Sequence, residues 1–99
     1  MNLLNVYILK CNDNSYYTGV TNNIERRLYE HENGVNTTCY TFSRRPLMLV
    51  WHSESMDAIQ AIELEKQIKG WRKSKKEALI AGNWDELIKL AAIRKNKIK

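Results

Sequence analysis

The chain is poor in the residues that staple or interrupt a fold. Its 99 residues include two cysteines, one proline and four glycines. Cys11 and Cys39 make neither a zinc quartet nor a disulfide framework, so a reducing compartment is expected: the cytoplasm, with the nucleoid within reach. No apolar run approaches the ~18 residues that cross a bilayer. Met1-Asn2-Leu3-Leu4-Asn5 offers no basic or long apolar stretch, so no secretory signal is expected. Repeats and low-complexity segments are also missing. These absences exclude a membrane protein, a collagen-like chain, a disulfide mini-protein and a long disordered tail. At 43% hydrophobic and 27% charged residues, the chain reads as one soluble globular domain.

The charge is unevenly placed. Residues 1–65 carry five basic and eight acidic side chains; residues 66–99 carry eleven basic and three acidic ones, for a net charge of +5 overall. The basic block (Lys66, Lys69, Arg72, Lys73, Lys75, Lys76, Lys89, Arg94, Lys95, Lys97, Lys99) is interleaved with Trp71 and Trp84, which suits a polyanion such as nucleic acid. The same pattern also describes a solvated helix face.

Residues 3–10 are short, apolar and partly β-branched, as in a buried strand. Asn12-Asp13-Asn14-Ser15 is a turn cluster, and 16–21 reads as a second strand completing a hairpin. Thr21 or Asn22 can cap a helix to about Asn33, which Gly34 ends. A polar loop over 35–46 holds Arg44-Arg45 and Pro46. Residues 47–52 form a third strand. Helices follow from Ser55 or Met56 to Lys69, from Lys73 to Ala81, and from Asn83 or Asp85 toward Ile93. The order ββαβααα predicts an α+β fold: a three-stranded antiparallel sheet flanked by helices, one domain with its core over about 4–90 and a basic tail over 91–99.

Helix geometry singles out several polar groups. At 100° per residue with Ala58 at zero, Trp71, Leu64, Ile68, Ala61 and Ile62 span about 220° to 40°. Glu65 falls inside that arc at about 340°, whereas Glu63 lies near 140° on the polar face. A carboxylate in a packing stripe needs a partner, either Lys69 at i, i+4 or a metal ion. In the first helix Ile24 and Leu28 define the core stripe. Arg27 and His31 border it, and Arg26 points almost the opposite way. Tyr7 and Tyr17 flank the hairpin turn about a mean position of residue 12 and would approach across the strands.

Two phenols, a guanidinium, an imidazole and a carboxylate suit phosphodiester hydrolysis. Glu65 is an oxygen ligand for Mg²⁺. Arg27 offers a planar fork for phosphate. A tyrosine hydroxyl can take a proton from water. The basic segment supplies a grip on the backbone, with Arg44, Arg45, Lys69, Arg72, Lys73, Lys75 and Lys76 as candidate nucleic-acid contacts.

These residues carry a resemblance. Asn5-Val6-Tyr7 followed by Tyr17-Thr18-Gly19 resembles the paired signature of the GIY-YIG endonucleases. The arginine eight residues later is Arg27, and a histidine one helical turn on is His31. The likeness is greatest to the small stand-alone branch, through Tyr-Thr-Gly-Val-Thr at 17–21, Glu-Arg-Arg-Leu at 25–28, Glu-His at 30–31, Arg-Arg-Pro at 44–46 and Lys-Lys-Glu-Ala-Leu-Ile at 75–80. It covers about residues 4–90. The resemblance implies Mg²⁺-dependent cleavage of branched or duplex DNA, with Mn²⁺ as a substitute, in repair or processing. It implies Tyr7 as general base assisted by Tyr17 and His31, Arg27 on the scissile phosphate, and Glu65 as the metal ligand. The chain departs from the signature at Asn5, which replaces a glycine, and at Val6 and Thr18, which replace isoleucine. A later asparagine of many members has only Asn83 nearby. The alternative readings are a catalytically weak nucleic-acid-binding module on the same fold and a domain that docks an acidic protein. A monomer or weak dimer is expected; double-strand cutting by one such site would require a dimer or two successive events.

Overall fold

The computed structural model describes residues 3–82. The expected last helix, the basic tail and Trp84 lie outside the described residues. Two compact units are present, one through Lys69 and one from Gly70 onward.

In the first unit, β1 (Leu3–Lys10) and β2 (Tyr16–Thr21) form the hairpin, α1 spans Ile24–Glu32, β3 spans Met48–His52, and α2 spans Ala58–Lys69. The second unit contains α3 (Lys73–Ile80). The sheet is antiparallel with order β2-β1-β3, giving the expected α+β architecture. One element was not anticipated. Met56–Asp57, expected to open the helix, is instead a two-residue strand, β4, paired with Leu4 and Leu3 of β1. Asp57 then bonds the Gln60 amide through Oδ1 at 2.9 Å, so the side chain starts the helix two residues late.

β1 is the central strand, and its sequence shows why. Val6, Tyr7, Ile8 and Leu9 are all at most 2% exposed. A strand covered on one face alternates buried and exposed side chains; a run of four buried residues means that both faces are covered. Tyr7, Leu9 and Cys11 share one face and pack with Leu47, Tyr17, Leu28 and Leu49. Across β1 and β2 runs α2, with Ala61 and Ile68 fully buried. The two sit near 290° on the wheel, which explains the rest of that helix. Glu65 is about 50° away and half-buried, whereas Ile62, about 110° away, is exposed. Trp71, placed on the same stripe by periodicity, lies beyond the helix end at Lys69.

Local chemistry fixes the ends of the elements. Asn23, not Thr21 or Asn22, caps α1 by accepting from the Arg26 amide at 3.0 Å. Thr21 supports that cap through its hydroxyl, which accepts from the Asn23 amide at 3.1 Å. Asn5, standing where the family signature has glycine, donates its side-chain amide to the Ser53 carbonyl at 2.9 Å. Ser53 in turn takes the Val6 amide on its hydroxyl and gives its own amide to the Val6 carbonyl. These bonds tie the start of β1 to the chain leaving β3.

Thr18 departs from the signature in a different way. It pairs with Ile8 across the hairpin, is 2% exposed, and its hydroxyl has no hydrogen-bond partner. A buried orphan hydroxyl costs about 1–3 kcal/mol. Thr18→Val keeps the shape and removes the hydroxyl, so it should raise the urea midpoint by the equivalent of ~1 kcal/mol. A lowered midpoint would show that the hydroxyl has a partner after all.

Candidate active site

The hairpin register brings the phenols together, though not in direct opposition. Tyr7 lies opposite Gly19, and Tyr17 opposite Leu9, so the two tyrosines are diagonal neighbours on one face. Their ring centroids are 6.2 Å apart. The Tyr7 ring lies over residue 19 so closely that a Cβ there would sit 2.6 Å from the phenol oxygen. Only a glycine leaves that space free.

α1 delivers the other two groups. Arg27 Nε donates to the Tyr7 hydroxyl at 3.3 Å, and His31 Nε2 lies 2.9 Å from the same oxygen. The sequence placed His31 on the border of the helix stripe; it is instead 4% exposed, within the packing between helix and sheet. The imidazole also meets Tyr17 edge-on, with centroids 5.1 Å apart. Arg26 points into solvent and bonds Asn22, as the wheel predicted.

Burial sets the proton affinities of this cluster. Desolvation pushes the Tyr7 phenol up to about 12, against a lowering by its Arg27 hydrogen bond. Desolvation and the Arg27 charge push His31 down to about 4, so its ring is neutral at pH 7. Burial works against the Arg27 charge, but hydrogen bonds to Tyr7, Glu30 and Tyr17 outweigh it and hold the guanidinium firmly protonated. Arg27 Nη1 also pairs with Glu30 Oε1 at 3.3 Å.

Three residues from the segment between α1 and β3 join the cluster, and no sequence signal marked them. Thr41 is 1% exposed and its hydroxyl lies 2.7 Å from His31 Nδ1. Cys39 Sγ is 3.5 Å from that hydroxyl. Burial pushes the Cys39 thiol up, but hydrogen bonds from the Thr41 hydroxyl and amide and from Tyr17 leave it lower than an ordinary thiol. Tyr40 stacks on Tyr17 with centroids 6.3 Å apart. A loop has no periodicity, so nothing in the order of these residues tells which of them turn inward. A cavity of about 70 Å³ opens beside them, lined in part by Arg27, Glu30, His31, Cys39 and Thr41.

The remaining candidates are placed as follows. Glu65 sits on α2 with its side chain 17% exposed, its Oε2 3.4 Å from Lys69 Nζ. That is the i, i+4 pair the sequence allowed as one alternative. The described residues contain no group of three or more His, Cys, Asp or Glu able to hold a metal ion. Arg44 is engaged within its own loop: Nε on Asp13 at 3.1 Å, Nη1 on the Tyr40 carbonyl at 2.8 Å, and the guanidinium over the Tyr40 ring. Arg45 donates to the carbonyls of Phe42 and Glu32. These two expected nucleic-acid contacts therefore spend much of their donor capacity folding the loop over 34–45. In the second unit Arg72 and Lys73 are exposed, Lys75 lies over the Trp71 ring, and burial lowers the Lys76 ammonium.

Residues 4–78 match the family described as GIY-YIG catalytic domain. A UPF0213 protein of Syntrophus aciditrophicus is 47% identical over 79 residues, covering 79% of this chain and 90% of that one. A UPF0213 protein of Natronomonas pharaonis is 44% identical over 77% of this chain and 88% of its own length. The solution NMR structure of a UPF0213 protein from Bacillus halodurans aligns with a TM-score of 0.51 and 35% identity, covering 80% of this chain and 83% of that one.

The neutral state of His31 makes stability depend on pH. An unfolded histidine titrates near 6.5 and the folded one near 4, so between those values the unfolded chain binds a proton that the fold refuses. The stabilisation is complete above pH ~6.5 and is lost as pH falls toward ~4, with an upper bound of ~3 kcal/mol. Urea midpoints measured across that window should fall on acidification, and His31→Gln should flatten the fall. An unchanged slope in the variant would assign it to other groups.

Proposed function

The chain belongs to the GIY-YIG family, a nuclease family, and on that premise we propose that it is a metal-dependent endonuclease that hydrolyses DNA phosphodiester bonds. The observation that carries this reading is the Tyr7 hydroxyl held between a permanently charged Arg27 and a neutral His31. That arrangement suits removal of a proton from water next to a phosphate.

In this reading Tyr7 is the general base. Its phenol keeps its own proton at pH 7, so it can accept one from water only by passing its own to His31 Nε2. Burial, and after it the Arg27 charge, depress the basicity of His31 in the free protein. A phosphate arriving on Arg27 offsets the second of these and raises the proton affinity of His31. Arg27 then stabilises the charge that develops on the phosphate oxygens. Tyr17 bonds to Arg27 and packs against His31, which keeps the fork and the ring oriented.

The metal ion is assigned to Glu65. One half-buried carboxylate, released by a lysine that is itself half exposed, suits a hard cation that keeps most of its water. Mg²⁺ fits that donor set, with Mn²⁺ as a substitute. When bound, the ion would neutralise charge on the leaving oxygen. Contacts to the nucleic-acid backbone are assigned to Arg44, Arg45 and Lys69 in the first unit and to Arg72, Lys73, Lys75 and Lys76 in the second. The biological setting we favour is DNA repair or processing in the cytoplasm, acting on branched or duplex DNA as a monomer or weak dimer.

The test is a cleavage screen over single-stranded, duplex, flapped and branched DNA with Mg²⁺ or Mn²⁺. Wild type should nick at least one substrate. Glu65→Gln should lose cleavage by ~10²-fold or more while still binding DNA. Failure of the wild type on every substrate, with binding intact, would leave a nucleic-acid-binding module. Arg27→Ala should lower kcat by ~10²–10³-fold, as removal of a charge-stabilising donor does elsewhere. Arg26→Ala should leave kcat nearly unchanged, and equal losses would remove Arg27 from its role.

A further inference from the structure

We propose that Thr41 is a positioning residue of this site: it fixes His31 as the tautomer with its proton on Nδ1, leaving the Nε2 lone pair facing the Tyr7 hydroxyl. Only the catalytic consequence rests on the endonuclease reading; the tautomer follows from counting protons.

Arg27 Nε carries a proton and no lone pair, so at 3.3 Å the Tyr7 oxygen can only accept from it. The phenol's own proton, on a residue 2% exposed, then needs an acceptor. His31 Nε2 at 2.9 Å is placed to be that acceptor. Had Nε2 carried the proton instead, the Tyr7 oxygen would face two donors and its own proton would be stranded. On the far side of the ring, Nδ1 then holds the proton, and the Thr41 oxygen at 2.7 Å accepts it. The Thr41 proton passes on to Cys39 Sγ at 3.5 Å. Each hydrogen from Arg27 Nε to the Thr41 hydroxyl thus has one acceptor. The reverse order, with Cys39 donating to Thr41 and Thr41 to Nδ1, would strand the proton of the 2% exposed Tyr7 phenol rather than that of the partly exposed Cys39 thiol, which is the costlier loss.

Thr41 is well anchored for the task. It is 1% exposed, so bulk water cannot substitute for its hydroxyl. It lies at the start of the 3-10 turn Phe42–Arg44, and its carbonyl accepts from the Arg44 amide at 3.0 Å. Arg44 ties that turn to Asp13, and Arg45 ties it to Glu32. During the reaction a proton leaves water for the Tyr7 oxygen while the Tyr7 proton moves to His31 Nε2. The ring becomes an imidazolium whose Nδ1–H still rests on Thr41. The hydroxide so formed bonds to phosphorus and the bond from phosphorus to the leaving oxygen breaks; Tyr7 then gives a proton to that oxygen or to solvent and recovers one from His31 Nε2, which restores the starting tautomer.

The test uses the full chain labelled with ¹⁵N, with both ring nitrogens of His31 read by long-range proton–nitrogen correlation at pH 7. Wild type should show a protonated Nδ1 and a bare Nε2; a protonated Nε2 in the wild type overturns the proposal without any variant. Thr41→Val should give a mixture of tautomers and lower kcat by ~10–100-fold, as loss of a group that orients a histidine does elsewhere, with DNA affinity unchanged. Thr41→Ser should restore both the single tautomer and most of kcat. A single Nδ1–H tautomer persisting in folded Thr41→Val would overturn the assignment. If the wild type cleaves no DNA yet its tautomer is fixed and Thr41→Val releases it, the endonuclease reading fails and the role of Thr41 in holding the ring stands.

Discussion

The structure depends on one shared oxygen. The Tyr7 hydroxyl lies on the central strand, in a packed interior, and receives Arg27 and His31 from a different element. A buried phenol, a buried imidazole and a partly buried guanidinium would each be costly alone. Together they satisfy one another, and the cost of burying them becomes a constraint on geometry. The helix cannot rotate or slide along the sheet without stranding a polar group. What looks like a reactive cluster is therefore also the joint between α1 and the hairpin.

The segment between α1 and β3 has a related role. It holds little regular structure, yet it closes one side of the joint through Thr41 and Cys39 and covers Tyr17 with Tyr40. Its two arginines are used inwardly, on carbonyls, aromatic rings and Asp13. An arginine pair beside a proline invites the reading of an anion site; the same forks also satisfy loop carbonyls that no secondary structure serves. The turn becomes rigid enough to hold a hydroxyl against an imidazole.

Much of this was legible in the sequence, for physical reasons. β1, β2, β3 and the helices α1, α2 and α3 follow from apolar runs, turn residues and the glycines Gly34 and Gly82, both with positive φ. The wheel separated Arg27 from Arg26 and Glu65 from Glu63 because helix packing leaves a narrow arc for the core. It was less accurate at the margins. His31 proved buried, since its partner Tyr7 projects from the sheet and draws it in. The tyrosine pairing was offset because the hairpin centres on residue 13 rather than 12. β4 was hidden because two residues carry no periodicity. Thr41 was invisible for the same reason: its partner is ten residues away, in a loop with no repeat to fix its direction. Glu65 shows the limit of the method. A half-buried carboxylate is expected on its face of α2, but whether that place serves a lysine or a cation is a matter of the surroundings.

Gly19 carries a consequence of another kind. The Tyr7 ring occupies the place where any other residue would begin its side chain. Part of the space around the Tyr7 ring is thus outlined by an omission, an unfilled stub on the adjacent strand. A single methyl group added there would prise the phenol from its neighbours while every group of the cluster remained in the chain.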